Sequence, residues 1–277
     1  MKLKTFVLLP LLIVFSTLQC SIDWLQFFYT PYEVNTRFKE SLSLTPPGAS
    51  SISNQNNFSF IQVTDIHLAE GVNPYLSSLS RNLISTDAFI IPTGDLTDYG
   101  KRSDFIAYRD IMNSIGLPYF SVIGNHDLWF KGWDQYKDIL GPGVYSTHAG
   151  NVRIIVLDSA NDTLGADQYK WLEKELSMKI EPYCIVASHY NLFSPVIGET
   201  SQSTNMEEVY GMMRMFEKYK VNYVLMGHSH IYDYRKINGV SYLVGPAMKK
   251  YSANEQKYFI RITVSNGQMT HEKLPLL

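Results

Sequence analysis

Cysteine is nearly absent: the 277 residues hold two, Cys20 and Cys184. That excludes a disulfide framework and leaves no thiolate on offer for a metal site. Cys184 lies in the apolar run Tyr183–Ala187, where a buried, inert thiol is expected. Runs of one charge are missing as well. The chain carries 24 basic and 26 acidic residues, net −2, with no basic cluster, so no nucleic-acid-binding surface is evident. No internal repeat is found. Long apolar runs are also lacking. The main one, Phe6–Leu18, has 13 residues, interrupted by Pro10, Ser16 and Thr17. It falls short of the roughly 20 needed to cross a bilayer.

Preceded by Lys2 and Lys4, that run reads as an export signal over residues 1–20. Leu18-Gln19-Cys20 resembles a bacterial lipoprotein processing site, with Cys20 as the residue that receives the lipid. Gln19 departs from the small residue usual before the cysteine, so simple secretion and a retained anchor stay open. The expected location is extracytoplasmic, free or attached to a membrane through an N-terminal lipid. Residues 21–56 read as a tether, because Ser41–Asn57 is crowded with Ser, Pro, Gly and Asn. The aromatic group Trp24, Phe27, Phe28, Tyr29 and Tyr32 is apolar for a free linker and is expected to pack on the domain that follows, with a place at a membrane surface as the alternative. That domain, residues 57–277, is long enough to bury a core without covalent staples.

From Phe58 onward strands and helices alternate. Phe58–Thr64, Ala88–Pro92, Tyr119–Ile123, Val152–Leu157, Tyr183–Ser188 and Tyr223–Met226 read as strands. Tyr75–Ile84, Asp104–Ile115, Ala166–Leu176 and Met206–Tyr219 read as helices. Such alternation predicts an α/β fold built of βαβ units around a largely buried sheet. Near the C-terminus the helices stop. Tyr232–Lys236, Ser241–Val244 and Tyr258–Val264, with turn signals at Asn238-Gly239 and Asn266-Gly267, predict a β-meander.

Polar residues gather where the strands end. Asp65 and His67 follow the first, Gly94-Asp95 the second, and Gly124-Asn125-His126-Asp127 the third. His189 follows the strand through Val186, and Gly227-His228-Ser229-His230 the strand through Met226. In open α/β sheets the carboxyl ends of strands are where ligands bind. Carboxylate, imidazole and amide oxygen together suit zinc, iron or manganese. Five of the seven histidines lie in these segments; His148 and His271 do not. A lone strand-end histidine is usually a packing residue, but five such segments converging argue for a dinuclear metal centre.

The ordered set Asp65-Ile-His67, Gly94-Asp95-Leu-Thr-Asp98, Gly124-Asn-His-Asp127, His189 and Gly227-His-Ser-His230 resembles the calcineurin-like metallophosphoesterases over about residues 58–245. The resemblance implies a four-layer α/β/β/α sandwich, two mixed sheets face to face with helices outside. It implies two divalent ions (Mn, Fe or Zn), with Asp65, His67 and His230 on the first, Asn125, His189 and His228 on the second, and Asp95 on both. His126 would stand outside the metal shell near the leaving group, which makes it the candidate general acid; a histidine that only orients phosphate by hydrogen bonding is the alternative. Apart from the resemblance, Asp127 could orient His126 and Asp98 could brace the loop around Asp95; a plain turn or cap aspartate is the alternative for each. The implied activity is hydrolysis of a small phosphate mono- or diester by activated water. A non-catalytic metal-dependent binder on the same fold is the competing class. Purple acid phosphatases have a tyrosine ligand where this chain has Asp98. Protein Ser/Thr phosphatases have an arginine where it has Tyr99. Neither subfamily is expected.

Overall fold

The structure is a computed structural model that describes residues 33–47, 57–193, 205–249 and 255–277. The expected export signal, Cys20 and the aromatic group from Trp24 to Tyr32 lie outside the described residues. No described helix is long and apolar enough to cross a membrane.

Two mixed sheets carry the fold. In the first, β1 (Phe58–Val63) runs parallel to β2 (Asp87–Pro92), while β9 (Tyr258–Ser265) pairs antiparallel with β1 and β10 (Gln268–Pro275) with β9. In the second, β4 (Val152–Val156), β5 (Tyr183–Ala187), β6 (Tyr223–Met226) and β8 (Val240–Val244) are parallel. The antiparallel strands β3 (Tyr145–Ala149) and β7 (Asp233–Ile237) edge that sheet. Burial on both faces explains why β5 and β6 are almost purely apolar in sequence. Phe60, Phe89 and Phe120 from one sheet meet Ile154, Ile185 and Leu225 from the other in the central core. Helices α2 (Pro74–Ser78), α3 (Arg102–Ile115) and α4 (Gly132–Ile139) cover the outer face of the first sheet, and α5 (Gly165–Met178) and α6 (Met206–Lys218) that of the second. The result is the expected four-layer α/β sandwich.

Four local expectations change. The third strand, 119–123, is not a continuous strand. Residues 118–122 run beside β2, with Ile90 N–H donating to Pro118 O at 2.9 Å, Phe120 N–H to Ile90 O at 3.0 Å and Val122 N–H to Pro92 O at 2.9 Å. Between the last two of these bonds the parallel ladder needs an N–H at position 92, and proline has none. The meander is divided: β7–β8 and β9–β10 are separate two-residue hairpins in different sheets. Asn238, Gly239, Asn266 and Gly267 all have positive φ, as type I′ turns require. The helix expected over 75–84 is one α turn and a 3₁₀ turn. Ser77 and Ser78 Oγ donate back to the Asn73 and Tyr75 carbonyls, competing with the helical ladder.

Finally, part of the stretch read as tether is ordered structure. Residues Val34–Leu42 form helix α1, which buries Arg37, Phe38 and Ser41. Phe38 meets Trp171 of α5 edge-on at 6.0 Å. Glu40 accepts from Trp133 Nε1 at 2.7 Å and Lys137 Nζ at 2.8 Å on α4. The helix therefore touches both outer layers.

Candidate metal centre

Every residue that the sequence assigned to the metal site or its support reaches the same rim; Cys20 lies outside the described residues. Asp65 and His67 leave β1, Asp95 and Asp98 leave β2, Asn125–Asp127 leave the 118–122 segment, His189 leaves β5, and His228 and His230 leave β6. The turns interlock: Asp65 N–H donates to Gly94 O at 3.1 Å, His67 N–H to Asp95 O at 2.9 Å, and Gly227 N–H to His189 O at 2.9 Å. Asp65, His67, Asp95, His228 and His230 all have φ between 46° and 70°. That left-handed backbone is uncommon for residues with side chains and gathers at functional sites. Gly124 is required by close approach, since a Cβ there would run into the backbone nitrogen and carboxylate of Asp95.

The side chains then converge. His67 Nε2 lies 3.4 Å from Asp95 Oδ2 and 3.3 Å from His230 Nε2, which lies 3.3 Å from Asp65 Oδ1. On the other side, His189 Nε2 lies 3.0 Å from Asn125 Oδ1 and 3.3 Å from Asp95 Oδ1, and His228 Nδ1 lies 3.1 Å from Asn125 Oδ1. Asp95 thus faces both groups. Asp65, Asp95, Asn125 and His189 are buried.

Tautomers decide what this packing means. His189 Nδ1 is 2.9 Å from the Thr93 carbonyl, an acceptor, so Nδ1 carries the hydrogen. His67 Nδ1 is 2.9 Å from Asp98 Oδ1 and is protonated for the same reason. In the neutral rings both Nε2 atoms then present lone pairs to carboxylate, amide and imidazole acceptors. Acceptors crowded against acceptors need a positive charge among them. The pocket's electrostatics say the same. Burial disfavours charge on His189, yet Asp95 and Asp65 draw it up to about 9. Burial, with the charge on His189, drives His228 down to about 3, leaving a neutral ring suited to ligation. Burial opposes the charge on Asp95, but His189 and His126 hold its carboxyl well below the usual range. The donor set fits two divalent cations.

The supporting residues differ in part from expectation. Asp98 does not brace the loop around Asp95. Its Oδ1 fixes His67 and also accepts from Lys249 Nζ at 3.1 Å. Burial would raise its carboxyl, but His67 and Lys249 hold it at about 2. Asp127 does not orient His126. Its carboxylate accepts from Gly124 N–H at 2.9 Å, Leu96 N–H at 3.1 Å, and Thr97 N–H and Oγ1 at 2.9 and 3.1 Å, tying two ligand loops together. Burial and the nearby charge of Asp95 push it up to about 7. His126 is instead oriented by Nδ1–H donating to the Asp98 carbonyl at 2.9 Å and by Trp129, whose ring stacks on it at 4.7 Å. Tyr190 stacks on His228 at 3.8 Å. Sequence reasoning missed Lys249 and Ser159, whose Oγ accepts from His189 N–H and Tyr190 N–H at 3.0 Å each. Both follow strands, β8 and β4, at the same rim, which was the available signal. His148 lies in β3, and His271 is engaged by the hydroxyls of Tyr223 and Tyr232.

A sandwich whose strand ends gather imidazoles and carboxylates around Asp95 is the architecture of a dinuclear-metal phosphoesterase. The chain belongs to the calcineurin-like phosphoesterases, whose family model matches residues 58–232. It is 26% identical over 216 residues to a 3′,5′-cyclic-nucleotide phosphodiesterase of Nostoc sp., covering 68% of this chain and 77% of that one. It is 29% identical over 134 residues to an Fe(3+)-Zn(2+) purple acid phosphatase of Arabidopsis thaliana, 46% of this chain and 28% of that one. Among solved structures, a purple acid phosphatase from yellow lupin (Lupinus luteus) seeds superposes with TM-score 0.64 at 17% identity, over 80% of this chain and 52% of that one. A dimetal phosphatase from Danio rerio gives 0.61 at 13%, over 80% and 98%. At those identities the likeness is one of fold. The protein is a metal-dependent phosphoric ester hydrolase of a family that uses two metal ions.

Proposed function

We propose that the protein hydrolyses phosphodiesters. Asp65, His67 and His230 hold one divalent ion, Asn125, His189 and His228 the second, and Asp95 is shared. The observation that carries this reading is the convergence of acceptor atoms at 3.0–3.4 Å around Asp95. When bound, the ions supply Lewis-acid polarisation of the phosphate and an activated water. The chain's own residues set the stage. Asp98 and the Thr93 carbonyl fix His67 and His189 with Nε2 turned inward. Because His126 Nδ1–H is committed to the Asp98 carbonyl, Nε2 is the atom that hands a proton to the leaving oxygen.

Two facts favour a diester over a monoester. The amine at the rim, Lys249, already neutralises Asp98, and Tyr99 stands where Ser/Thr phosphatases have an arginine. A singly charged diester asks less of such a rim than a doubly charged monoester. The Nostoc relative, named a cyclic-nucleotide phosphodiesterase, agrees.

The Mn²⁺-loaded protein should turn over bis(p-nitrophenyl) phosphate with a higher kcat/KM than p-nitrophenyl phosphate. Preference for the monoester would refute the diesterase reading, and no turnover with Mn, Zn or Fe would refute the centre. His126→Ala should retain both ions yet slow diesters with alkyl leaving groups by about 10²–10⁴-fold, and nitrophenyl esters far less. Equal losses would remove the acid role. On the basic-then-apolar leader alone, we further propose export with a lipid on Cys20. Fatty-acid labelling that persists in Cys20→Ser would overturn that.

A further inference from the structure

Beneath the metal centre the packing between the two sheets changes character. Alternate residues of a strand share a face. Phe58 and Phe60 of β1 face the central core, together with Phe89 and Ile91 of β2 and Leu225 of β6. The next residue on that face of β1 is Gln62, and the next after Phe89 and Ile91 is Thr93. Both are fully buried. A place inside the sandwich favours another apolar side chain at position 62, yet the chain puts an amide there.

That amide bridges the sheets. Gln62 Nε2 donates to the Met226 carbonyl at 2.9 Å and to Thr93 Oγ1 at 3.2 Å. Both partners are roots of ligand loops. Met226 ends β6 and leads through Gly227 to His228 and His230. Thr93 stands two residues before Asp95, and its carbonyl holds His189 Nδ1 at 2.9 Å. The fit is close, since a Cβ on Gly245 would lie 3.3 Å from Gln62 Nε2. Yet the fold does not need this donor. The Met226 carbonyl also accepts from Gly245 N–H at 3.0 Å and from Thr93 Oγ1 at 3.3 Å. Gln62 Oε1, meanwhile, is buried and meets no donor among the described residues. An apolar side chain would avoid the cost of that unpaired acceptor, so stability does not account for the glutamine.

We infer that Gln62 is a positioning residue, which sets the spacing of the two sheets under the metal centre and so the fit of both ions. The inference rests on the two-ion assignment, in which each ion draws on both sheets. Asp65 and His67 leave the first sheet and His230 the second; Asn125 leaves the segment beside β2, and His189 and His228 leave the second sheet. Apolar packing deeper in the core attracts without direction, whereas a hydrogen bond holds its partners to a length and an angle.

The test is Mn²⁺ titration of the metal-free protein, read by calorimetry and by electron paramagnetic resonance. The unmutated protein should take up two Mn²⁺ and show the exchange-coupled spectrum of a manganese pair. Gln62→Met keeps the length of the side chain and removes the amide. It should weaken both ions by about tenfold and replace part of the coupled spectrum with that of single ions. The urea midpoint of its metal-free form should stay level or rise. Phe60→Leu is the control from the same face of β1, where the ring stacks on Phe89 at 4.7 Å. It should lower that midpoint and leave both affinities and the spectrum as they were. Intact affinities in Gln62→Met would overturn the inference. So would a Phe60→Leu variant that weakens the ions as much as Gln62→Met, because any loosening of the sandwich would then suffice. Should Gln62→Met fail to fold, Thr93→Val decides, since it removes the acceptor of the second amide bond. It should weaken both ions, and intact binding there would make the glutamine structural. Uptake of fewer than two Mn²⁺ by the unmutated protein would instead take down the two-ion assignment.

Discussion

Two buried polar clusters lie side by side in this fold and are charged on opposite terms. At the first, the Arg37 guanidinium of α1 grips Asp158, Nε to Oδ2 at 2.6 Å and Nη2 to Oδ1 at 3.1 Å, and reaches Asn161 at 2.6 Å. Gln168 closes the other side, bonding both the N–H and the carbonyl of Asp158. Cation and anion both come from the chain, and donors meet acceptors. At the second, Asp65, Asp95 and their imidazoles turn lone pairs toward one another. The two share a loop, since Ser159 follows Asp158 and holds the backbone of His189. Where charge balance comes from within, it serves architecture; where it is left to bound ions, it serves chemistry.

Substitutions can break that contrast. The largest effect belongs to Asp95→Asn, which removes the carboxylate facing both ligand groups. Activity should fall by at least about 10²–10³-fold, with loss of bound metal by elemental analysis, while the metal-free protein unfolds at nearly the same denaturant concentration. Arg37→Met should do the converse. Leaving Asp158 buried and unpaired should cost about 3–5 kcal/mol in chemical denaturation, much of it recovered in Arg37→Met/Asp158→Leu. If Arg37→Met left stability intact, the two clusters would not differ in kind.

Cys184 sharpens the contrast with the smallest effect, as a buried group that needs no partner because it stays neutral. Burial pushes its thiol up to about 12 from an ordinary value of 9. The folded thiol should therefore resist Ellman's reagent at pH 8 and react once unfolded. Between pH 9 and 12 the unfolded chain releases this proton and the folded chain keeps it. The contribution of Cys184 is thus full below pH 9 and fades toward pH 12, and Cys184→Ala should flatten that part of the stability profile.

The sequence revealed the centre better than the frame around it, for physical reasons. Strand-end residues stood out because apolar runs such as Tyr183–Ala187 stop abruptly at polar ones. Helix α1 did not, because its inward face is anchored by Arg37, which any hydrophobic pattern scores as surface, and because Pro- and Ser-rich residues follow it. The jobs of Asp98 and Asp127 were also hidden. Spacing shows which residues reach the rim, but not which of several nearby N–H groups a carboxylate will choose. The gap at Pro92 was legible in principle, as a missing donor, but only once the partner segment was known.

The docking of α1 bears on how far the enzyme can stand from an attachment point. Counted to the start of the catalytic domain at Phe58, a leash from Cys20 could pay out to roughly 130 Å at full extension. With α1 fastened to the body, the leash ends at Val34 and reaches at most about 50 Å.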